Sequence, residues 1–236
     1  MYVKVLFDKK AKRGLHSGHG FSCLVDNNIL FDTGEGPASL IENMDRMMVS
    51  IPELKAVVIS HDHWDHTGGL WEILRNNNGL KVYACESISK TFKDCVKELG
   101  GDLILVDGPM TIKKNVYTSG PIEFVYNDTK LHEQVLVVKG EKGISIITGC
   151  AHPGILPIIQ HVHERFKTSK IYMVFGGIHL VETEREEISE IITAFKKLGV
   201  LKAGPSHCSG EKARRMFVGQ YHENFIPVKA GQVIQL

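Results

Sequence analysis

The sequence predicts a layered α/β architecture, and three observations carry that prediction. Short runs rich in Val, Ile, Phe and Tyr recur along the chain, bounded by Gly, Asp or Asn. Stretches of helical periodicity stand between them. One apolar run, 56–59, ends abruptly in a cluster of His and Asp, the kind of strand end at which α/β folds carry their sites. A chain with both kinds of element buries their apolar faces by packing them in layers.

Taken in order, strands are expected at 3–7, 22–25 and 29–31, the last two joined by the turn Asp26-Asn27-Asn28. A helix follows near 37–47. Then come a strand at 56–59, a helix at 67–76, a strand at 81–84, a helix at 86–99 and a strand at 103–106. The later half repeats the pattern. Strands at 135–138 and 144–147 flank the turn Lys139-Gly140-Glu141-Lys142-Gly143, followed by a helix at 155–166 and a strand at 171–175. Helices at 184–198 and 210–219 and a strand at 225–228 complete the series. The helix at 184–198 is the clearest. Ile188, Ile191, Ile192, Phe195 and Leu198 share one face. Thr183 and Glu186 have the spacing of a capping box. Glutamates at its start and Lys196-Lys197 at its end suit the helix dipole, and Gly199 terminates it.

No Pro-rich linker, low-complexity tract or repeat interrupts the 236 residues, so 1–236 reads as one domain, long enough for a sizeable core. The net charge of +1 lacks the basic excess that nucleic-acid binding requires. No apolar stretch reaches the length of a membrane span, and the N-terminal apolar run is too short for a signal peptide. A cytoplasmic location is therefore expected. The five cysteines are odd in number and irregularly spaced, which argues against a disulfide framework and reads mostly as small core residues.

The informative segment is Ser60-His61-Asp62-His63-Trp64-Asp65-His66-Thr67-Gly68-Gly69-Leu70. In extended chain, residues two apart point the same way, so His61 and His63 can hold one metal ion together. A helix beginning near Asp65 turns Asp65 and His66 toward a second, and Gly68-Gly69 permits close approach of neighbouring backbone. Imidazole and carboxylate suit Zn, Fe or Mn. By contrast, His161-Val162-His163 reads as helix, where residues two apart diverge, and is expected as solvated surface.

The segment His61 to His66 resembles the HxHxDH signature of the metallo-β-lactamase superfamily. The resemblance implies a four-layer αβ/βα sandwich with two divalent metal ions at one edge, zinc foremost, with iron, manganese or magnesium as alternatives. It also implies that Asp32, in Phe31-Asp32-Thr33-Gly34, lies near the site and orients a ligand histidine. Two more ligands are expected from later turns: His152 for the metal of His61 and His63, and His207 for that of Asp65 and His66. His132 is the alternative to His152. Many superfamily members carry Thr-Gly-Asp, with a bridging carboxylate, where this chain has Thr148-Gly149-Cys150. Cys150 is then either a thiolate ligand or a small buried residue without a metal role, and the second reading is favoured.

Further segments appear in the same order as in one branch: Gly14-Leu15, His19-Gly20-Phe21-Ser22, Thr148 to Ile155, Gly176-Gly177-Ile178-His179-Leu180 and His207-Cys208-Ser209-Gly210. Together they resemble the 7,8-dihydropterin-6-methyl-4-(β-D-ribofuranosyl)aminobenzene 5′-phosphate synthase-like proteins over nearly the whole chain. The implied substrate is a small, pterin-like phosphorylated molecule, and the implied reaction displaces diphosphate. Hydrolysis of a phosphoester or other small ester is the alternative, and a metal-bound sensor or binding protein with little turnover is the rival of another class. Asp65, His179 and His19 are the expected catalytic residues. His19 and His179 should rim a partly apolar pocket over the metals, with Trp64 as a wedge at its mouth or packed in the core. Lys10, Lys12 and Arg13 either meet substrate phosphates or are solvated, and the second reading is favoured.

Overall fold

The computed structural model describes residues 1–167 and 170–236. The first half runs through β1 (Tyr2–Phe7), β2 (Ser22–Val25), β3 (Ile29–Phe31), α1 (Pro37–Arg46), β4 (Ala56–Val58), α2 (Trp64–Thr67), α3 (Leu70–Arg75), β5 (Lys81–Cys85), α4 (Lys90–Glu98) and β6 (Asp102–Val106). The second half runs through β7 (Met110–Lys113), β8 (Val116–Thr118), β9 (Ile122–Tyr126), β10 (Thr129–Glu133), β11 (Leu136–Gly140), β12 (Gly143–Thr148), α5 (Ile155–Phe166), β13 (Ile171–Gly177), α6 (Arg185–Lys197), β14 (Lys202–Ser206), α7 (Gly210–Tyr221) and β15 (Val233–Gln235).

Two sheets form. One has the order β15-β1-β2-β3-β4-β5-β6, the other β14-β13-β12-β11-β8-β7, and β9 and β10 make a separate hairpin. Strands β3 to β6 are parallel to one another, as are β12 to β14. Alternation along the strands divides the apolar residues. Val5, Cys23, Phe31, Val58 and Tyr83 face the other sheet and meet Leu136, Val138, Ile147, Met173 and Phe175 in one core. Leu6, Leu24, Leu30, Val57 and Val82 face outward and are covered by Leu40, Met44, Leu70, Ile73, Phe92 and Val96 of α1, α3 and α4. On the far side Ile146 and Val174 pack under Ile158, Ile159, Ile188, Ile192, Phe195 and Phe217 of α5, α6 and α7. The result is a four-layer αβ/βα sandwich. Among the described residues no helix is long and apolar enough to cross a membrane.

Local chemistry explains where the expected elements hold and where they shift. Asp26 and Asn27 adopt φ of 47° and 69°, and such left-handed residues make the tight turn between β2 and β3. The helix expected at 67–76 is two helices. They meet at Gly68-Gly69, where a Cβ would lie 2.2 Å from the Glu35 carbonyl oxygen and 2.5 Å from that of Thr33. The helix expected from 86 starts at Lys90, capped by Ser89, whose Oγ accepts from the Phe92 N–H at 3.1 Å. The capping box at Thr183 does not form. The N-cap is Glu184, one residue too late for Thr183 to reach the first turn. No strand forms at 225–228. Pro227 has no N–H to donate, and only Phe225 bridges Ala203 while Ile226 and Val228 drop into the inter-sheet core. The sequence reading also passed over β7 to β10, β14 and β15.

Candidate metal centre

Asp32 follows β3 in a left-handed conformation, φ 54°, and is fully buried. Its Oδ1 accepts the Ser60 N–H at 2.7 Å, and its Oδ2 accepts the Ser60 hydroxyl at 2.8 Å and His66 Nδ1–H at 2.7 Å. Ser60 Oγ, having donated to Asp32, accepts from His61 Nδ1 at 2.8 Å. This single carboxylate thus fixes two imidazoles, and in both the Nε2 is the atom turned away from the anchor. His61 Nε2 faces His63 Nδ1 at 3.0 Å. His63 is the N-cap of α2, so the chain passes from extended to helical between His63 and Asp65. Thr33 holds that junction, its Oγ1 and its N–H both donating to the His66 carbonyl.

The second sheet supplies the rest. After β12 the chain turns through Ala151 at φ 62°, and the buried Glu133 carboxylate accepts the N–H groups of Cys150, Ala151 and His152 at 3.0, 2.7 and 2.8 Å. His152 then packs 4.8 Å, ring to ring, from both His61 and His63, with Phe124 stacked on it. After β14, His207 at φ 49° has its N–H held by buried Asp8 at 3.1 Å, and its ring lies 5.1 Å from that of His66. Asp65 Oδ2 lies 3.4 Å from His207 Nε2 and 3.7 Å from His66 Nε2. Three non-glycine residues after the ends of β3, β12 and β14 thus sit at positive φ, strain of the kind that collects at functional sites.

Two clusters of ligand atoms result: His61, His63 and His152, and His66, Cys150 and His207, each with its atoms within 4.8 Å of one another. Asp65 adjoins the second. Cys150 Sγ is also 2.9 Å from Cys208 Sγ and 3.2 Å from His179 Nδ1, in a further cluster of three. His132 stays outside these clusters among the described residues and lines a neighbouring cavity of about 200 Å³, walled by Phe124, Leu131 and Ile88 against His61 and His63. A second cavity of about 390 Å³ opens beside His207, near Lys9, Lys10 and Arg214. Neither cavity is lined by His19 or His179; the hairpin β9–β10 walls the first. His19 and His179 are exposed. The His19 ring lies 6.1 Å from that of Trp64, which is 63% exposed and outside the core, and the His179 ring lies 4.5 Å from that of His152. Lys10 pairs with Glu211, while Lys12 and Arg13 are exposed. His161 is not solvated surface: it is half-buried, and its Nε2 bonds the Ser119 carbonyl at 3.0 Å.

The electrostatics divide the two clusters. Burial, with the neighbouring imidazoles, holds His61 well below the ordinary histidine range and His152 down at about 3. Burial would lower His66 too, but the charge and hydrogen bond of Asp32, with Asp65 behind, raise it to about 9. Burial would raise Asp65, yet hydrogen bonding to His207 and the charges of His66 and His207 carry it below the usual carboxylate range. Burial lifts Asp8 to about 6 and also raises Glu133. The two thiols cannot both ionise at their separation. Hydrogen bonding to Cys208, with burial, pushes Cys150 up; against burial, hydrogen bonds from Cys150 and His179 bring Cys208 down. Ser60, Glu133 and Asp8 escaped the sequence reading. Only Ser60 carried a signal, its place beside His61.

A family model, the beta-lactamase superfamily domain, matches residues 27–97. The 7,8-dihydropterin-6-methyl-4-(β-D-ribofuranosyl)-aminobenzene-5′-phosphate synthase of Methanocaldococcus jannaschii is 30% identical, over 93% of this chain and 90% of its own. The crystal structure of Tm1679, a metal-dependent hydrolase of the beta-lactamase superfamily, superposes with a TM-score of 0.85 at 30% identity, covering 100% of this chain and 99% of its own. YhfI of Bacillus subtilis, a metallo-β-lactamase fold protein, shares the fold with a TM-score of 0.71 at 13% identity over 99% of both chains. With its sandwich, its His/Asp strand end and these relatives, the chain belongs to the metallo-β-lactamase superfamily, in the branch of the dihydropterin–ribofuranosylaminobenzene phosphate synthase.

Proposed function

We propose that this protein is a two-cation enzyme acting on a small phosphorylated molecule, with diphosphate displacement from a pterin-like substrate as its reaction. The observation that carries the reading is a set of three buried imidazole Nε2 atoms, on His66, His152 and His207, that make no well-formed hydrogen bond among the described residues, His207 meeting only the Asp65 carboxylate at 3.4 Å. Leaving a buried polar atom unpaired costs about 1–3 kcal/mol, and three such atoms beside one carboxylate fit a centre whose cations take up the lone pairs. His61, His63 and His152 would hold one cation; Asp65, His66 and His207, with Cys150 beside them, would hold the other. Imidazole with carboxylate and thiolate favours zinc, with iron or manganese next, over magnesium. When bound, such cations neutralise a departing diphosphate or activate water.

The chain's own residues do the remainder. Asp32 and Ser60 fix the rings of His66 and His61, and Glu133 fixes the backbone under His152. Phe124, Leu131 and Ile88 give the cavity beside His61 and His63 an apolar wall that suits a flat ring and keeps water from it. His179, exposed beside His152, can hydrogen-bond a substrate or exchange a proton with it, while His19 and Trp64 stand together outside the cavity lining. The pterin-like substrate follows the name of the M. jannaschii relative. Hydrolysis is the second reading, favoured by the likeness to Tm1679.

The test combines metal analysis of the purified chain with turnover of a pterin diphosphate plus a ribofuranosyl-aminobenzene phosphate, and of simple phosphoesters. Two equivalents of metal and product formation are expected. Asp65→Asn should lose the second equivalent and the activity while the circular dichroism spectrum stays unchanged. Metal without turnover of any substrate would make the protein a sensor or binding module. Unchanged metal content and turnover in Asp65→Asn would overturn the two-cation mechanism.

A further inference from the structure

Two cysteines far apart in sequence meet over a strand that separates them. Cys150 lies two residues beyond β12 and Cys208 two residues beyond β14, and β13 runs between these strands. Neighbouring strands stand about 4.8 Å apart, so the two chain segments must bend toward each other across β13. The end of β13 is Gly176-Gly177. A Cβ on Gly177 would lie 2.2 Å from the Gly149 carbonyl oxygen and 2.9 Å from Cys208 Sγ. Only a residue without a side chain leaves the space in which the two sulfurs come to 2.9 Å. Both are held there. Glu133 accepts the Cys150 N–H, and the His179 N–H donates to Cys208 Sγ at 3.3 Å. Cys208 is partly exposed, whereas Cys150 is 4% exposed.

We propose that Cys150 and Cys208 are an oxidation site that closes to a reversible disulfide and thereby takes Cys150 out of the second cation position. The oxidant is a small-molecule disulfide. The exposed partner, Cys208, attacks one of its sulfurs as the thiolate, expelling one small thiolate and forming a mixed disulfide. Cys150 then attacks the Cys208 sulfur while its proton passes to His179 Nδ1, 3.2 Å away, and the second small thiolate leaves. Two protein thiols have lost two protons and two electrons, and the oxidant has become two thiols. Cys150 belongs at once to this pair and to the cluster with His66 and His207. A sulfur bound in a disulfide has no thiolate charge to give a cation, so oxidation removes one donor from the second position and weakens binding there. By reciprocity, a cation there protects the pair. The disulfide stands on the geometry alone; its effect on metal rests on the two-cation reading.

The experiment uses the full chain, stripped of metal by chelation and then incubated with glutathione disulfide. Thiols are counted under denaturing conditions and the cross-link is located by peptide mass mapping. The count should fall from the five free cysteines to three, with the bond between Cys150 and Cys208, and dithiothreitol should restore it. Zinc added first should slow the loss about tenfold or more. Cys208→Ser should form no internal bond; if that variant does not fold, the map of the wild-type chain decides. A chain that keeps five thiols, or whose bond joins other cysteines, overturns the proposal. Equal rates with and without zinc overturn its metal half, whatever the enzyme's activity proves to be.

Discussion

Asp32 accepts three hydrogen bonds with one carboxylate and so sets both the aim and the protonation of the histidines around it. Its consequence is clearest at His66, whose pKa stands at about 9. A raised value means the proton stays on below that pH, so a cation entering the second position must displace it. At pH 7 that step should release one proton from His66 and a second where Cys150 joins as a thiolate, and affinity should rise at least roughly tenfold per pH unit until about 9. His61 and His152 are held low and are already neutral at pH 7, so the first position should fill with almost no release. Calorimetric metal titration in buffers of different ionisation enthalpy separates the two. Asp32→Asn should remove the His66 proton from the release and weaken binding about 10–100-fold. Equal proton release for both equivalents would show the assignment to be wrong. His61, His63, Asp65 and His66 were legible because six consecutive residues carry them all. Glu133 and Asp8 were not, because a lone polar residue has no pattern until the fold shows what it binds.

At the scale of elements, the loop before β2 sets the height of α2. Gly20 has φ of 91°, and a Cβ there would lie 1.7 Å from the Asp65 carbonyl oxygen. Gly20→Ala should therefore cost about 1–3 kcal/mol from the backbone conformation, and more from displacing α2 and the Asp65 and His66 it carries. Gly36→Ala is the control. It is extended, φ −179°, with nothing within 4 Å of its Cβ, and should cost under about 1 kcal/mol. Urea unfolding of the two variants measures the difference; equal midpoints would remove the claim that glycine is required at 20. Elements buried on both faces were readable as apolar runs. The hairpin β9–β10 was not, because its outer residues Glu123, Val125, Tyr126, Thr129 and Lys130 are exposed and mixed in character. Nor was β14, whose Gly204-Pro205 reads as a turn. It tolerates Pro205 as an edge strand, and a Cβ on Gly204 would lie only 2.9 Å from Ile226. The hairpin gives Phe124, Leu131 and His132 to the cavity beside His61 and His63, a wall that no sequence pattern announced.

For the molecule as a whole, the alternation of sheet and helix gave the layers, while the strand order stayed hidden. Pairings such as β15 with β1 and β11 with β8 join distant segments and leave no local trace. The same long-range character shapes the metal centre. His61, His63, Asp65 and His66 follow β4 of one sheet, and His152 and His207 follow β12 and β14 of the other. In kinetic terms, the complete donor set exists only after the two sheets have docked, and it is expected to be missing from the transition state for folding. Cations should then leave the refolding rate untouched and slow unfolding alone. At a free concentration of about 100 times Kd, the stabilisation is about 2.7 kcal/mol, a roughly hundredfold slower unfolding arm. Stopped-flow chevrons with zinc and with chelator report both arms, and a faster refolding arm with zinc would mean that the histidines after β4 capture a cation before the sheets meet. On the two-cation reading, donors drawn from both sheets make the loaded centre a clasp across the seam, and any opening of that seam should shorten the time a cation stays bound.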